Sequence, residues 1–211
     1  MTVRKDIKEF LLTIPQNVTI VAATKYIEAD DMNVLYHFGI NNFGENRVDS
    51  FLHKYDALSE NKDIKWHFIG HLQRNKAKSI INKIDCLHSL DSLALAELID
   101  KHRQKPLDAF IEVSINLEEN KSGVPYYQVK EFLEKVQQYQ KIHIIGLMMM
   151  AIKNSDNVRE QFKKLRLLRD ELEKDYQIKL PYLSMGMSDD YLAALEEGAT
   201  HIRLGRILFD E

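Results

Sequence analysis

Eight short apolar runs recur along the chain, separated by stretches with helical spacing, and this alternation limits the fold more than any other feature. The runs cover Thr19–Thr24, Asn42–Phe43, His67–Ile69, Cys86–His88, Ala109–Ile115, His143–Met148, Tyr182–Ser184 and His201–Leu204. Several are hydrophobic at consecutive positions, as strands buried on both faces are. Between them, Val129, Phe132, Leu133 and Val136 follow the 3.6-residue period, as do Val158, Phe162, Leu165, Leu168 and Leu172, with Ser155 or Asp156 as the predicted cap. Asp30, Asp91 and Ser188 stand where helices should begin, and Gly39 and Gly198 where they should stop. The four prolines all fall at boundaries between these segments.

Strict alternation of strand and helix makes a parallel sheet, either open and doubly wound or closed as a barrel. One strand, one helix and two loops occupy roughly 25 residues. A chain of 211 residues therefore holds about eight such units with little left over. Eight strands favour an α/β fold of the (β/α)8 TIM type, in a single domain over residues 1–211, with an N-terminal helix at about 2–14 packed on the barrel.

Hydrophobic residues make up 45% and charged residues 29%, which is too apolar for a disordered chain. The net charge of −3 gives no electrostatic footprint for nucleic acid or for a membrane surface. The charged amino-terminal segment lacks the apolar core of a signal peptide, and no apolar stretch reaches the length of a membrane span. A cytoplasmic protein is expected. The single cysteine, Cys86, excludes a disulfide framework or a cysteine-built zinc site and reads as a buried, inert thiol.

The glycines mark one rim. Gly44, Gly70, Gly123, Gly186 and Gly205 each follow a predicted strand, so they belong to the carboxyl-end loops where α/β folds place ligands. Five methionines (Met148, Met149, Met150, Met185 and Met187) end the sixth and seventh strands and read as soft core filler. Lys25 departs from this background, because it ends the apolar run Thr19–Thr24. It is either a lysine snorkelling at a strand end or an amine made nucleophilic towards an aldehyde by desolvation.

Leu183-Ser-Met-Gly-Met-Ser-Asp-Asp190 follows the seventh strand, and Ile202-Arg-Leu-Gly-Arg206 spans the end of the eighth. Barrels commonly hold a phosphate with these two loops. Gly186 and Gly205 would bring backbone N–H groups close to it, and Ser184 or Ser188 would add a hydroxyl. Asp189 and Asp190, placed in the first turn of the next helix, would repel a phosphate set directly on that helix end. The donors are therefore expected from Ser184–Met187 and Gly205–Arg206. An aldehyde-reactive lysine and a phosphate site on one rim together describe pyridoxal 5′-phosphate (PLP).

Seven blocks in order make the chain resemble the pyridoxal phosphate homeostasis protein family over nearly its whole length. They are Ala22–Lys25, Phe43–Arg47, Trp66–Lys76, Asn116–Gly123, Gly146–Met148, Leu183–Asp190 and Arg203–Gly205. The resemblance implies a barrel similar to the amino-terminal domain of alanine racemase, of the fold-type III PLP class, holding the cofactor as a Schiff base. By the resemblance, Lys25 is the Schiff-base lysine, Arg203 faces the pyridine nitrogen, Ser184 and Gly205 hold the phosphate, and Asn46 lies beside the cofactor. Arg206 departs from the family pattern, which commonly has a threonine or serine hydroxyl there. It is expected either to give a charged phosphate contact or to point outward. An arginine at the pyridine nitrogen favours the unprotonated ring and weakens carbanion stabilisation.

The remaining signals carry less. His67 and His71 are four residues apart but bridge a strand and a loop, so no metal site is expected. Arg74, Lys76 and Lys78 read as a solvated basic face, with a partner or nucleic-acid contact as the alternative. The Gln73–Lys76 and Lys121–Gly123 blocks have no derivable chemical role. Three functions compete: a non-catalytic PLP carrier that buffers the cofactor or delivers it to apo-enzymes; an amino-acid racemase or decarboxylase; and a protein-docking adaptor. A racemase needs a second acid–base group, which the related enzymes take from an appended domain and the partner subunit. This chain ends six residues after Gly205, so no such domain is expected. Tyr26, the nearby candidate, neighbours Lys25 on a strand and is therefore expected to point elsewhere. The carrier reading, in a monomeric protein without nucleic-acid or membrane partners, is preferred.

Overall fold

The computed structural model describes residues 2–115, 122–152 and 157–210. The Asn116–Lys121 part of the fourth family block and the Ser155/Asp156 cap lie outside the described residues.

All eight predicted strands form. They are β1 (Thr19–Ala23), β2 (Asn42–Glu45), β3 (Lys65–Phe68), β4 (Cys86–Leu90), β5 (Leu107–Ser114), β6 (Ile142–Met148), β7 (Tyr182–Met187) and β8 (His201–Leu204). Each pairs in parallel with the next in sequence. β8 pairs with β1, Arg203 lying opposite Val21, and this closes the barrel. The (β/α)8 expectation therefore stands over the open doubly wound alternative.

Among the described residues, eight helices surround the sheet: α1 (Ile7–Leu12), α2 (Ala29–His37), α3 (Val48–Ala57), α4 (Arg74–Ala77), α5 (Leu93–His102), α6 (Val129–Val136), α7 (Val158–Tyr176) and α8 (Tyr191–Glu196). The periodic residues predicted for α6 are all buried, as are Phe162, Leu165, Leu168 and Leu172 of α7. Each such side chain is worth about 1.5–3 kcal/mol of transfer free energy. Among the described residues, no helix is long and apolar enough to cross a membrane.

Several boundaries differ from the sequence reading. The amino-terminal segment is not a helix over 2–14. Thr2–Val3 pairs antiparallel with Phe209–Asp210, and the Arg4 amide donates to Leu208, so the helix starts only at Ile7. Helices α2, α5 and α8 follow Glu28, Ser92 and Asp190 instead of Asp30, Asp91 and Ser188. The Gly39 and Gly198 stops hold, both with positive φ just past a helix end. Gly44 and Gly186 lie inside strands, and Gly123 precedes the two-residue strand Val124–Pro125.

The lumen is less aliphatic than in a typical barrel. His67, His88 and His201 project inward, together with Phe110 and Tyr182; the His88 and Phe110 ring centroids are 4.5 Å apart. Cys86 joins Phe110, Ile145 and Met148 in a small buried cluster, and burial pushes its thiol pKa well up, in keeping with an inert role. Met148, Met149 and Met185 are buried as expected of filler, whereas Met150 and Met187 are exposed.

Candidate functional site

A cavity of about 480 Å³ opens at the carboxyl ends of β2, β1, β8 and β7, within the size range of small-molecule sites. Its polar lining includes Lys25, Asn46, Ser188, Arg203 and the Gly205 backbone.

Lys25 is not on a strand. β1 ends at Ala23, and the Ile27 amide donates to the Thr24 carbonyl (3.2 Å), closing a tight turn with Lys25 and Tyr26 at its corners. Ile27 is buried beneath the turn, while Lys25 and Tyr26 are exposed and both line the cavity. Lys25 is thus presented to solvent at the mouth instead of being desolvated at a strand end. Its Nζ lies 4.6 Å from the Tyr26 ring centroid, and the ammonium lowers the pKa of the Tyr26 hydroxyl. The expectation that Tyr26 points elsewhere fails, because it assumed strand alternation where the chain turns.

The turn rests on a buried ion pair that the sequence reading missed. Lys54 Nζ of α3 donates to Glu45 Oε1 and to the Thr24 carbonyl, both at 2.6 Å, and the Thr24 hydroxyl donates to the same carboxylate oxygen at 2.5 Å. Glu45, at the end of β2, leads directly to Asn46. The Asn46 Oδ1 is buried and has no hydrogen-bond partner among the described residues. Gly70 packs on this residue so closely that a Cβ there would lie 2.5 Å from the Asn46 carbonyl oxygen.

On the opposite side, Arg203 is buried at the cavity floor. Its Nη1 donates to Ser184 Oγ (2.7 Å) and its Nη2 to the Met149 carbonyl (2.8 Å). Burial pulls its pKa down to about 10, against the pull of Asp190 and Glu112, which leaves it cationic at neutral pH. Ser184 is itself fully buried, does not line the cavity, and is engaged by Arg203 and His88. Its placement does not suit a phosphate contact. Ser188 lines the cavity instead, and its hydroxyl accepts from the Gly205 amide (3.3 Å), joining the loops after β7 and β8.

Gly186 has φ +92°, and a Cβ on it would lie 2.7 Å from Ala194 of α8, so the β7 end lies tight against that helix. The two acidic residues come before α8 and are already occupied. Asp190 Oδ1 accepts from the Met187 amide (2.5 Å), and Arg206 Nη2 donates to both Asp189 oxygens at 2.8 and 2.7 Å. Arg206 lines the cavity mouth, but it is 70% exposed and its guanidinium is paired with Asp189.

His67 and His71 do not share a site. His71 pairs with Asp91 near the surface, whereas His67, Cys86 and His88 converge in the lumen. His67 Nδ1 and His88 Nε2 are 2.8 Å apart, a hydrogen-bond distance and shorter than the roughly 3.3 Å spanned by two nitrogens on a tetrahedral zinc with ~2.0 Å bonds. Because strand side chains alternate, inward-facing histidines on β3 and β4 were open to detection from the sequence.

Residues 7–210 match the model of the alanine racemase N-terminal domain family. The chain is 43% identical to the pyridoxal phosphate homeostasis protein of Aquifex aeolicus, covering 91% of this chain and 86% of that one. It is 36% identical to the Synechocystis protein of the same name, over 96% and 95%. Among solved structures it is similar to PipY of Synechococcus elongatus with PLP bound, with a TM-score of 0.89, 33% identity, and coverage of 97% of this chain and 100% of that one. Alanine racemase of Corynebacterium glutamicum shares the fold at 13% identity and a TM-score of 0.76, with 58% of its own length covered. The chain therefore belongs to the pyridoxal phosphate homeostasis proteins, a branch of the alanine racemase N-terminal domain family.

Proposed function

We propose that the protein binds PLP in the rim cavity and buffers or delivers it within the cell, without substantial catalysis of its own. The observation that carries this reading is the exposed Lys25 amine facing a buried, cationic Arg203 across one cavity. PLP supplies an aldehyde for condensation with an amine and an aromatic ring that withdraws electrons. The residues fit that group. Lys25 would take the aldehyde carbon, and the unpartnered Asn46 Oδ1 offers an acceptor beside it. Arg203 would face the ring nitrogen as a donor. Ser188 and the Gly205 amide would hold the phosphate, with Asp189 neutralised by Arg206.

Two features support carriage over catalysis. A permanent cation at the ring nitrogen opposes protonation there and so weakens the ring as an electron sink. Tyr26, the available second acid–base group, lies against Lys25 itself and shares its side of the cavity, whereas racemisation needs groups on two faces. Apo-enzymes that use PLP would be the recipients. Incubation with PLP should give a new visible absorbance band and, after borohydride, a covalent adduct on the Lys25 peptide; Lys25→Ala should abolish both. A normal band in that variant would sink the assignment. Regained activity of an apo-enzyme mixed with the loaded protein tests delivery, and turnover of amino acids well above that of free PLP would overturn the non-enzymatic reading.

A further inference from the structure

Beneath the cavity, five polar side chains form a continuous line through the barrel lumen. Arg203 Nη1 meets Ser184 Oγ at 2.7 Å, Ser184 Oγ meets His88 Nδ1 at 2.8 Å, His88 Nε2 meets His67 Nδ1 at 2.8 Å, and His67 Nε2 meets Asn42 Oδ1 at 3.0 Å. Four of the five are buried. The ends fix its direction. A guanidinium only donates, so Ser184 must accept from Arg203. At the far end, the Asn42 amide nitrogen donates to Asn41 Oδ1 (2.9 Å), so Asn42 Oδ1 is left to accept from His67 Nε2–H. With both ends set and burial holding both histidines neutral, one arrangement gives every contact a donor and an acceptor: each histidine protonated on Nε2, and the Ser184 hydroxyl donating to His88 Nδ1.

We infer that Ser184, His88 and His67 are positioning residues that hold the Arg203 guanidinium in one orientation at the cavity floor. The line is not a proton path, because its cavity end is a group that keeps its proton. Its effect is orientational. With Nη1 committed to Ser184 and Nη2 to the Met149 carbonyl, the guanidinium plane is set, and its remaining donors meet no other partner among the described residues. A proton added to His88 Nδ1 would make Ser184 Oγ accept from both His88 and Arg203 and turn its own proton out of the line. Burial and the neighbouring His67, His201 and Arg203 oppose that proton, while Asp190 and Glu112 face Arg203 on its other side.

The test has an arm that needs no cofactor. Nitrogen-15 NMR of the full chain should show His67 and His88 as neutral Nε2–H tautomers at pH 7. Finding His88 protonated on Nδ1, or on both nitrogens, would overturn the inference. The second arm rests on the PLP reading above. Ser184→Ala and His88→Leu should each weaken PLP binding about tenfold, the typical effect of losing one hydrogen bond to a charged group. Each should also shift the pH midpoint of the bound-cofactor band. His88→Gln, which offers an acceptor to Ser184 and a donor to His67, should restore both. Unchanged affinity and midpoint in folded Ser184→Ala or His88→Leu protein would also overturn the inference. If a variant fails to fold, the wild-type tautomers still decide; if wild type binds no PLP, the functional reading fails separately.

Discussion

Replacing Lys54 by methionine tests whether the buried ion pair supports the Lys25 turn. Methionine keeps most of the aliphatic stem but removes the donors to Glu45 Oε1 and to the Thr24 carbonyl. The Lys54 and Glu45 side chains are 4% and 0% exposed, so solvent cannot compensate. The variant would leave the Glu45 carboxylate with the Thr24 hydroxyl as its remaining donor, and Oε2 already has none. Stranding a buried charge in this way costs about 3–5 kcal/mol. For a domain of this size the loss should lower Tm by about 10 °C. Urea titration should show an earlier midpoint with an unchanged slope. The double variant Lys54→Met with Glu45→Leu removes both charges, and Thr24 keeps the Gly44 carbonyl as a partner at 3.3 Å. It should recover most of the loss, because buried pairs replaced by apolar groups are often neutral. A single-variant loss under about 1 kcal/mol, or a double variant less stable than the single, would refute the argument.

Three further outcomes follow from the same structure. Gly70→Ala places a methyl carbon 2.5 Å from the Asn46 carbonyl oxygen, so Asn46 must shift; titration should show PLP affinity reduced at least tenfold with a smaller change in Tm. The luminal histidines should make the fold acid-labile. Burial holds His67 down to about 3, His201 to about 4 and His88 well below its usual value. These histidines bind protons in the unfolded chain first, so their stabilisation is full above pH 6.5 and is lost as pH falls towards 4. Three such protons give a slope of about 4 kcal/mol per pH unit, measurable as urea midpoints between pH 7 and 5. Lys130, by contrast, bridges Glu171 and Asp175 at an exposed position, and Lys130→Ala should leave Tm unchanged within error despite the raised pKa of the lysine.

The barrel was legible because each strand's hydrophobicity is local information and the count of units nearly exhausts the chain. The rim was legible for a similar reason, since Lys25, Asn46, Arg203 and Gly205 lie where predicted strands end. What stayed hidden depends on side chains meeting across elements. Lys54 reads as one more charged position on a helix until α3 sets it against Glu45. Ser184 reads as a rim hydroxyl because the predicted strand stopped there, whereas β7 runs on to Met187 and leaves Ser184 inside the lumen. Tyr26 was misplaced by the opposite error, a strand carried on past Ala23 where the chain turns.

The closing seam has a consequence for how the protein comes to function during synthesis. Lys25 follows β1 and Arg203 lies on β8, so the cavity's two cationic poles meet where the first barrel strand pairs with the last. A ribosome adding about 5–20 residues per second releases the lysine many seconds before the arginine. A nascent chain therefore carries an exposed amine without the floor that selects what reaches it. Selective capture of an aldehyde therefore needs translation and closure both to have finished, whereas the amine alone offers reactivity without selection.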